Sequence, residues 1–157
     1  MKKALVCLLL FASSLSFSQT FTLNDNQFKV GSFYRTYNIL FDLDKAGLKT
    51  ESYPSLDSIV AFLNNNPSIR LEIGVHTDSR SCKQQEKMSF KLYEARARSI
   101  SDYLTGKGIN PERLVAKGYG CKKLLISDAE ISKLKTKAEI ESAHQKNRRV
   151  EFKIIAI

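Results

Sequence analysis

The chain has 157 residues, 43% of them hydrophobic, a length that suits one domain with a substantial buried core. It carries 25 Lys and Arg against 16 Asp and Glu, a formal net charge of +9 at pH 7. This balance suits nucleic acid, anionic lipid or an acidic polymer as partner, but no basic run is interleaved with aromatic residues, which argues against nucleic acid. Much of the charge lies on the solvent faces of predicted helices, so a solvated basic surface is the simplest interpretation.

The first 18 residues have the pattern of a secretory signal peptide. Lys2 and Lys3 form a positive start, residues 4–12 are apolar, and Ser16 and Ser18 supply the small residues that a signal peptidase reads. The apolar run is too short for a membrane anchor. We therefore predict cleavage after Ser18 and export, with no transmembrane segment in the mature protein. Removing the two lysines lowers the formal net charge from +9 to +7.

Two cysteines remain after the predicted cleavage, Cys82 and Cys121, and each follows a predicted strand. In an oxidising compartment a bond between them would close a loop of about 40 residues, worth roughly 4 kcal/mol on the chain-entropy model. The alternatives are a metal site with His76 and His144, or a reactive thiol in an enzyme. Neither alternative has ligand spacing of the Cys-x-x-Cys kind.

Predicted strands alternate with predicted helices along the rest of the chain. Residues 19–36 are polar and aromatic, an N-terminal extension with a turn at 24–26. The elements predicted within a domain at 37–157 are a strand at 36–41, a helix at 54–63, a strand at 69–76, a helix at 85–106, a strand at 114–119, a short helix restarted once, with capping boxes at 127/130 and 136/139, and a strand at 150–154. This β-α-β-α-β-α-β order predicts an α+β fold, an α/β sandwich with helices packed on one small mixed sheet.

The third predicted element ends in His76-Thr77-Asp78. A strand that ends in a short carboxylate presents it from a rigid edge, where binding residues commonly lie. The alternative is an ordinary turn in which Asp78 accepts nearby backbone N–H groups. Residues 79–85, which follow, are polar and are predicted to form a loop.

Arg96 lies at the edge of the apolar stripe of the helix predicted at 85–106. Ser89, seven residues earlier, lies two turns away on the same face. Most arginines beside an apolar stripe extend to water, so this position alone does not indicate a site. The stripe comprises Met88, Leu92, Ala95, Ser99, Tyr103 and Leu104.

The chain lacks the patterns of catalysis and of calcium binding. Residues 42–47 resemble the start of an EF-hand, but Ala46 stands at the fifth position and Tyr53 at the twelfth, where oxygen ligands are needed. There is no general acid–base pair, phosphate-binding glycine loop or Ser-His-Asp arrangement. We therefore predict a protein that is not an enzyme and that has neither a metal nor a cofactor.

Six motifs in order resemble the OmpA-like C-terminal domain, which holds peptidoglycan in the periplasm of Gram-negative bacteria. They are Ile39-Leu40-Phe41-Asp42, His76-Thr77-Asp78, Arg96-Ala97, Arg113-Leu114, Gly118-Tyr119-Gly120 and Asn147-Arg148-Arg149-Val150. The resemblance covers residues 36–157. It implies a periplasmic location, peripheral to the outer membrane, and a pocket for the diaminopimelate side of the stem peptide. Outer-membrane proteins are further candidate partners.

By this resemblance, Asp78 and Arg96 match the family's ligand-binding aspartate and arginine. Thr77 lies beside the first, and Arg148 matches the first arginine of the Asn-Arg-Arg motif. Diaminopimelate is zwitterionic, so a carboxylate suits its ammonium group and a planar guanidinium suits its carboxylate. The resemblance therefore implies a clamp of two opposite charges.

Three departures from the family's pattern stand near this clamp. The loop after Asp78 is about three residues longer than usual, Ser89 replaces a ligand-contacting Asn, and no proline follows Gly-Tyr-Gly. The longer loop carries Cys82 and the altered turn carries Cys121, which together imply a disulfide between the loops that flank the pocket. The alternatives are an OmpA-like scaffold or protein-interaction domain that no longer binds peptidoglycan, and an enzyme or metal site using Cys and His.

Overall fold

The computed structural model describes residues 19–84 and 86–157, with the side chains of residues 84–89 excluded. The predicted signal peptide, residues 1–18, lies outside this range. The strands and helices are β1 (Phe33–Thr36), α1 (Tyr53–Asn65), β2 (Arg70–His76), α2 (Ser79–Gln84), α3 (Glu86–Gly106), β3 (Leu114–Gly120), α4 (Asp128–Ile131), α5 (Lys137–Asn147) and β4 (Arg149–Ala156).

In the described part of the chain, four strands form one mixed sheet in the order β1-β4-β2-β3. β2 runs parallel to β3, while β4 is antiparallel to both β1 and β2. The parallel pair is joined through α2 and α3, since parallel neighbours need a long crossover. The predicted α+β fold, with helices packed on a small mixed sheet, is confirmed.

The hydrophobic core lies between one face of the sheet and the helices α1 and α3. The alternation of β2 and β4 buries every second residue on this face, as predicted, because successive strand side chains point to opposite faces. Its buried members include Leu71, Ile73, Val75, Phe152 and Ile154 from the sheet, and Leu56, Ile59, Leu63, Tyr93, Ala97, Ile100 and Leu104 from the helices.

The strand predicted at 36–41 is wrong. The first strand of the sheet is β1, from within the predicted extension, and Phe21 of that extension packs into the core. The apolar pattern of residues 36–41 reflects packing and not strand pairing, because Ile39 is buried in the core but does not belong to a strand. Ser52 takes the place of a neighbouring strand, since its hydroxyl accepts from Leu40 N at 2.7 Å and donates to Leu40 O at 3.0 Å.

The loop predicted at 79–85 is also wrong, because residues 79–84 form α2. The stripe predicted for α3 is displaced, since the buried side chains among those described in this helix are Tyr93, Ala97, Ile100 and Leu104, and only the last was expected. The predicted stripe member Met88 lies outside the described side chains. In contrast, both capping boxes are present, at Ser127 with α4 and at Thr136 with α5, and they begin two separate helices as predicted.

Asn147, the first residue of the Asn-Arg-Arg motif, holds the chain that follows β3. Its side chain is fully buried and its Oδ1 accepts from the backbone N–H groups of Leu125 and Ile126, at 2.7 and 3.0 Å. Its Nδ2 donates to Ile126 O at 2.8 Å. Sequence reasoning did not assign a role to this residue, whose amide satisfies buried backbone groups that no strand reaches.

A disulfide joins Cys82, within α2, to Cys121, which directly follows β3. The pairing implied by the two departures from the family pattern is therefore present in the structure. Because the sulfurs are bonded to each other, neither is available as a nucleophile or a metal ligand.

Gly118 lets α3 pack directly on β3. A Cβ atom at this position would lie 2.3 Å from the backbone N of Glu94 and 2.6 Å from the backbone C of Tyr93. Backbone atoms of a packed helix cannot move aside cheaply, and this close approach explains why the buried stripe of α3 is centred on Tyr93 and Ala97.

We expect Gly118→Ala to destabilise the protein by at least about 2–3 kcal/mol, because the added methyl group forces α3 away from the sheet. Denaturant unfolding measures this loss. Gly106→Ala is the matched control, since nothing lies within 4 Å of its added Cβ, and it should be neutral or slightly stabilising. Equal stability of the two variants would contradict the close packing.

We expect the double variant Cys82→Ser/Cys121→Ser to lose about 4 kcal/mol of unfolding free energy on the chain-entropy model, since the bond closes a sequence separation of 39 residues. The measurement is denaturant unfolding under non-reducing conditions, compared with wild type in the presence and absence of reductant. A double variant as stable as the oxidised wild type would rule out a stabilising role of the bond.

Candidate functional site

A cavity of about 360 Å³ opens beside the carboxyl end of β2. Three residues singled out in the sequence line it: Thr77, Arg96 and Arg148. The rest of the lining is mixed and includes the apolar Leu40, the aromatic Tyr93 and the acid Asp44. Asp78 does not line this cavity, and the side chain of Ser89 lies outside the described residues.

Arg96 reaches the cavity from α3 and is held from two directions. Its Nε donates to Lys45 O at 2.9 Å and its Nη2 donates to Asp42 O at 3.2 Å. Asp42 and Lys45, in the segment that resembles the start of an EF-hand, thus supply backbone carbonyl oxygens to the guanidinium of Arg96. These carbonyls use two of the five N–H donors of Arg96, and the side chain of Tyr93 is a further hydrogen-bond partner. Because a guanidinium has five donors, some remain for a carboxylate.

Two aromatic rings flank the same guanidinium. Its Cζ lies 4.9 Å from the ring centroid of Phe41 and 5.3 Å from that of Tyr93, within the range of a cation–π contact. Burial lowers the pKa of Arg96, while Tyr93 and Asp44 oppose this effect. A guanidinium nevertheless stays charged, so the cavity carries a fixed, oriented cation.

Asp78 follows β2 and begins α2. Its Oδ1 accepts from Arg80 N at 3.0 Å, which is an N-cap arrangement, and its Oδ2 accepts from Nη2 of Arg80 at 2.8 Å and from Nη1 of Arg148. The residue is 2% exposed. Burial by itself raises the pKa of this carboxyl, but the hydrogen bonds and charges of Arg80 and Arg148 outweigh burial and lower the pKa below its ordinary value.

Glu141 of α5 completes this network on its outer side. Its carboxylate accepts from Arg80 Nη1 at 2.9 Å and from Arg148 Nη2 at 2.6 Å. These two hydrogen bonds, first that of Arg80, lower the pKa of Glu141 to about 2. Arg148 is therefore placed between a buried acid and an exposed acid, at the edge of the cavity.

The two charges of the expected clamp are not in direct contact. Among the described residues, no hydrogen bond or ion pair joins Asp78 to Arg96, and Asp78 reaches the cavity through Arg148. Sequence reasoning missed Arg80 and Glu141, because residues 79–85 were predicted to be a loop. The distance along the chain from Arg80 to Glu141 left no spacing signal that could have identified the pair.

The two histidines proposed for an alternative metal site contact different residues. His76 stacks on Tyr119, with ring centroids 4.8 Å apart. His144 is buried behind Asp78, with its Nδ1 4.0 Å from Asp78 Oδ2. Residues 19–84 and 86–157 contain no cluster of three or more His, Cys, Asp and Glu side chains arranged to hold a metal ion.

No helix within the described part of the chain is both long and apolar enough to cross a membrane.

Known proteins with similar sequences match most of this chain. It is 36% identical over 117 residues to photosystem I P700 chlorophyll a apoprotein A2 of Gloeobacter violaceus, covering 74% of this chain and 13% of that protein. It is 32% identical to outer membrane protein A of Bordetella avium, covering 73% and 53%, and 28% identical to the peptidoglycan-associated lipoprotein of Haemophilus influenzae, covering 78% and 72%. The chain thus spans only a small part of the first relative and about half of the second.

Solved structures share the fold. The cell wall anchor of the T6SS from Pseudomonas aeruginosa superimposes with a TM-score of 0.60 at 22% identity, covering 80% of each chain. The peptidoglycan-associated lipoprotein from Burkholderia pseudomallei gives a TM-score of 0.57 at 20% identity, covering 74% of this chain and 87% of that one.

The family model of the OmpA family matches residues 40–148, which is more than half of the chain and contains Asp78, Arg96 and Arg148. This match confirms the resemblance that the sequence motifs indicated, and the mixed sheet agrees with it. The chain belongs to the OmpA family.

Proposed function

We propose that this protein is a non-catalytic peptidoglycan-binding domain of the periplasm that holds a diaminopimelate-type stem peptide in the cavity beside β2. The observation that carries the proposal is the fixed orientation of Arg96, held by two backbone carbonyls and two rings with N–H donors to spare. A preorganised guanidinium loses little freedom on binding a carboxylate. Two relatives whose names contain "peptidoglycan-associated" and "cell wall anchor" support the same polymer as ligand.

In this proposal, Arg96 takes a ligand carboxylate with two parallel hydrogen bonds. Thr77 lines the cavity, and its Oγ1 lies 3.3 Å from Ser81 Oγ, so its hydroxyl is placed for a further polar contact. The apolar wall packs against the aliphatic part of the ligand. The distance between the carboxylate and the ammonium group of the ligand side chain then determines which ligands can bind Arg96 and Asp78 at the same time.

Asp78 receives the ligand ammonium by exchange of partners. Arg148 stands between the cavity and Asp78, and its Nη2 has its own partners in Glu141 and Gln145, at 2.6 and 2.5 Å. When the ligand ammonium displaces Arg148 Nη1 from Asp78 Oδ2, the buried carboxylate still has a cationic partner at that oxygen. The exchange is therefore far less costly than leaving that charge unpaired.

We expect Arg96→Ala to weaken binding to purified sacculi roughly 10- to 100-fold, the value of a charge-assisted hydrogen bond of about 1.5–3 kcal/mol. Arg98→Ala is the matched control, because Arg98 lies on the same helix with its side chain 67% exposed and pairs with Glu94. Sedimentation of the protein with sacculi measures binding. Unchanged binding of both Arg96→Ala and Asp78→Ala would instead favour an OmpA-like scaffold that does not bind peptidoglycan.

We expect the stabilisation due to Asp78 to be pH-dependent. The pKa of this carboxyl is lower in the folded protein than its ordinary value, so its contribution is complete above about pH 4 and is lost as the pH falls through the folded-state pKa. Unfolding free energies of wild type and Asp78→Asn, measured between pH 7 and pH 2, should converge at acidic pH. A constant difference down to pH 2 would contradict the ion pairs described for this residue.

A further inference from the structure

A large share of the protein's excess positive charge lies on the face of the sheet opposite α1 and α3. We call this surface the open face and define it by five cations and two acids. The cations exceed the acids by three, out of a net +7 for residues 19–157. Its charged members are Arg35, Glu72, Lys117, Lys123, Arg149, Glu151 and Lys153. The other four net positive charges lie elsewhere in residues 19–157.

The open face contains a hollow of about 280 Å³ above Gly74. Gly74 leaves this space because it has no side chain, and a Cβ there would lie 3.1 Å from the ring of Tyr119. His76 borders the hollow and is 4% exposed, and its Nε2 lies 3.4 Å from Glu151 Oε2. Burial lowers the pKa of His76 below its ordinary value, and the neighbouring Glu151 opposes this effect.

The two acids of the open face are already paired. Glu151 accepts from Arg35 at 2.9 Å and from Arg149 at 2.8 Å. Glu72 accepts from the hydroxyl of Tyr119 and lies 3.4 Å from Lys117.

Two lysines are left without an acidic partner among the described residues. Lys123 lies 4.3 Å from the ring centroid of Tyr119, and the side chain of Lys153 is exposed and makes no ion pair or hydrogen bond there. Both lysines line the hollow. The hollow is thus bordered by ammonium groups that an anion can bind without displacing another group.

The open face is continuous with the cavity beside β2. His76 and Arg149 line both the hollow and that cavity, and Arg148, beside Arg149 in sequence, borders the cavity. The cations Arg148, Arg149 and Lys123 therefore form a row from the cavity to the hollow, in which Arg149 is only 5% exposed and pairs with Glu151. A polymer that extends beyond the unit held in the cavity would meet both surfaces.

We propose that the open face is a second contact for peptidoglycan, in which Lys123 and Lys153 bind carboxylates of the polymer beyond the side chain held in the cavity. This inference rests on the proposed function. Peptidoglycan carries carboxylates repeatedly, at the ends of its uncross-linked stem peptides, and it is the polymer that the continuous cation row would follow. Two linked contacts raise affinity for a polymer without raising affinity for a monomer that fills the cavity alone.

The test compares the double variant Lys123→Gln/Lys153→Gln with the control Lys133→Gln/Lys135→Gln, whose exposed lysines lie between α4 and α5. Each is titrated with a soluble disaccharide–tripeptide monomer and with intact sacculi. We expect the open-face variant to bind sacculi about fivefold more weakly at low salt and the monomer with wild-type affinity. The difference should disappear near 1 M salt, where exposed charges are screened.

Unchanged binding of sacculi by the open-face variant would overturn this inference and leave the proposed function intact. Equal weakening towards the monomer would also overturn it, since the lysines would then belong to the first site. If the same variant instead loses binding to vesicles containing phosphatidylglycerol while sacculus binding is unchanged, the partner is a membrane and the inference is wrong. Failure of the proposed function itself is recognised separately, because Arg96→Ala would then leave binding of the monomer intact.

Discussion

The buried carboxylate of Asp78 is the interaction on which the site depends. A charge that is 2% exposed must be paired, and it is paired with Arg80 of α2 and with Arg148 at the end of α5. Three elements of the chain that are distant in sequence are thereby joined at the carboxyl end of β2. Glu141 then neutralises the outer sides of the same two arginines, so that the whole network is balanced without ligand.

The second charge of the site is built on a different principle. Arg96 has no acidic partner in direct contact among the described residues, and backbone carbonyls and aromatic rings hold it instead. A guanidinium held by carbonyls and rings keeps donors for a ligand anion, although the charge of Asp44 also acts on it. The cavity, which Asp44 also lines, therefore offers Arg96 to an anion, and we propose that a ligand ammonium replaces Arg148 at Asp78.

The disulfide and Asn147 hold the frame around these charges. Cys82 ties α2 to the end of β3, and Asn147 ties the start of the following segment to α5. Both α2 and the end of α5 carry an arginine that contacts Asp78. Residues 79–84 thus form a short helix that a covalent bond ties to the residue after β3.

The fold could be predicted from the sequence where short-range sequence patterns agree with the burial of the residues in the structure. The alternation in β2 and β4 and the two capping boxes identified their elements correctly, because each is a short-range pattern. The residues 36–41 show the limit of such patterns, since Ile39 alternates like a strand residue but is buried through packing, with Ser52 satisfying the backbone of Leu40. The stripe of α3 was misplaced because Gly118, far away in sequence, decides which side of the helix approaches the sheet.

The same reasoning explains the outcome at the site. Thr77, Arg96 and Arg148 were brought to one cavity as the motifs implied, because the ends of β2 and β4 lie side by side in the sheet. The pairing of Asp78 with Arg80 could not be predicted, since it requires residues 79–84 to be helical. The role of residues 42–45 was likewise hidden, because what they contribute is backbone carbonyl oxygens, which any sequence possesses.

The most direct test of the central claim is a crystal structure of the protein with a diaminopimelate-containing stem tripeptide. The account predicts a ligand carboxylate within about 2.7–2.9 Å of the Arg96 guanidinium, and a ligand ammonium on Asp78 Oδ2 in place of Arg148 Nη1. A tripeptide bound away from this cavity, or one bound there while Asp78 keeps both arginines and Arg96 makes no contact with it, would contradict the account.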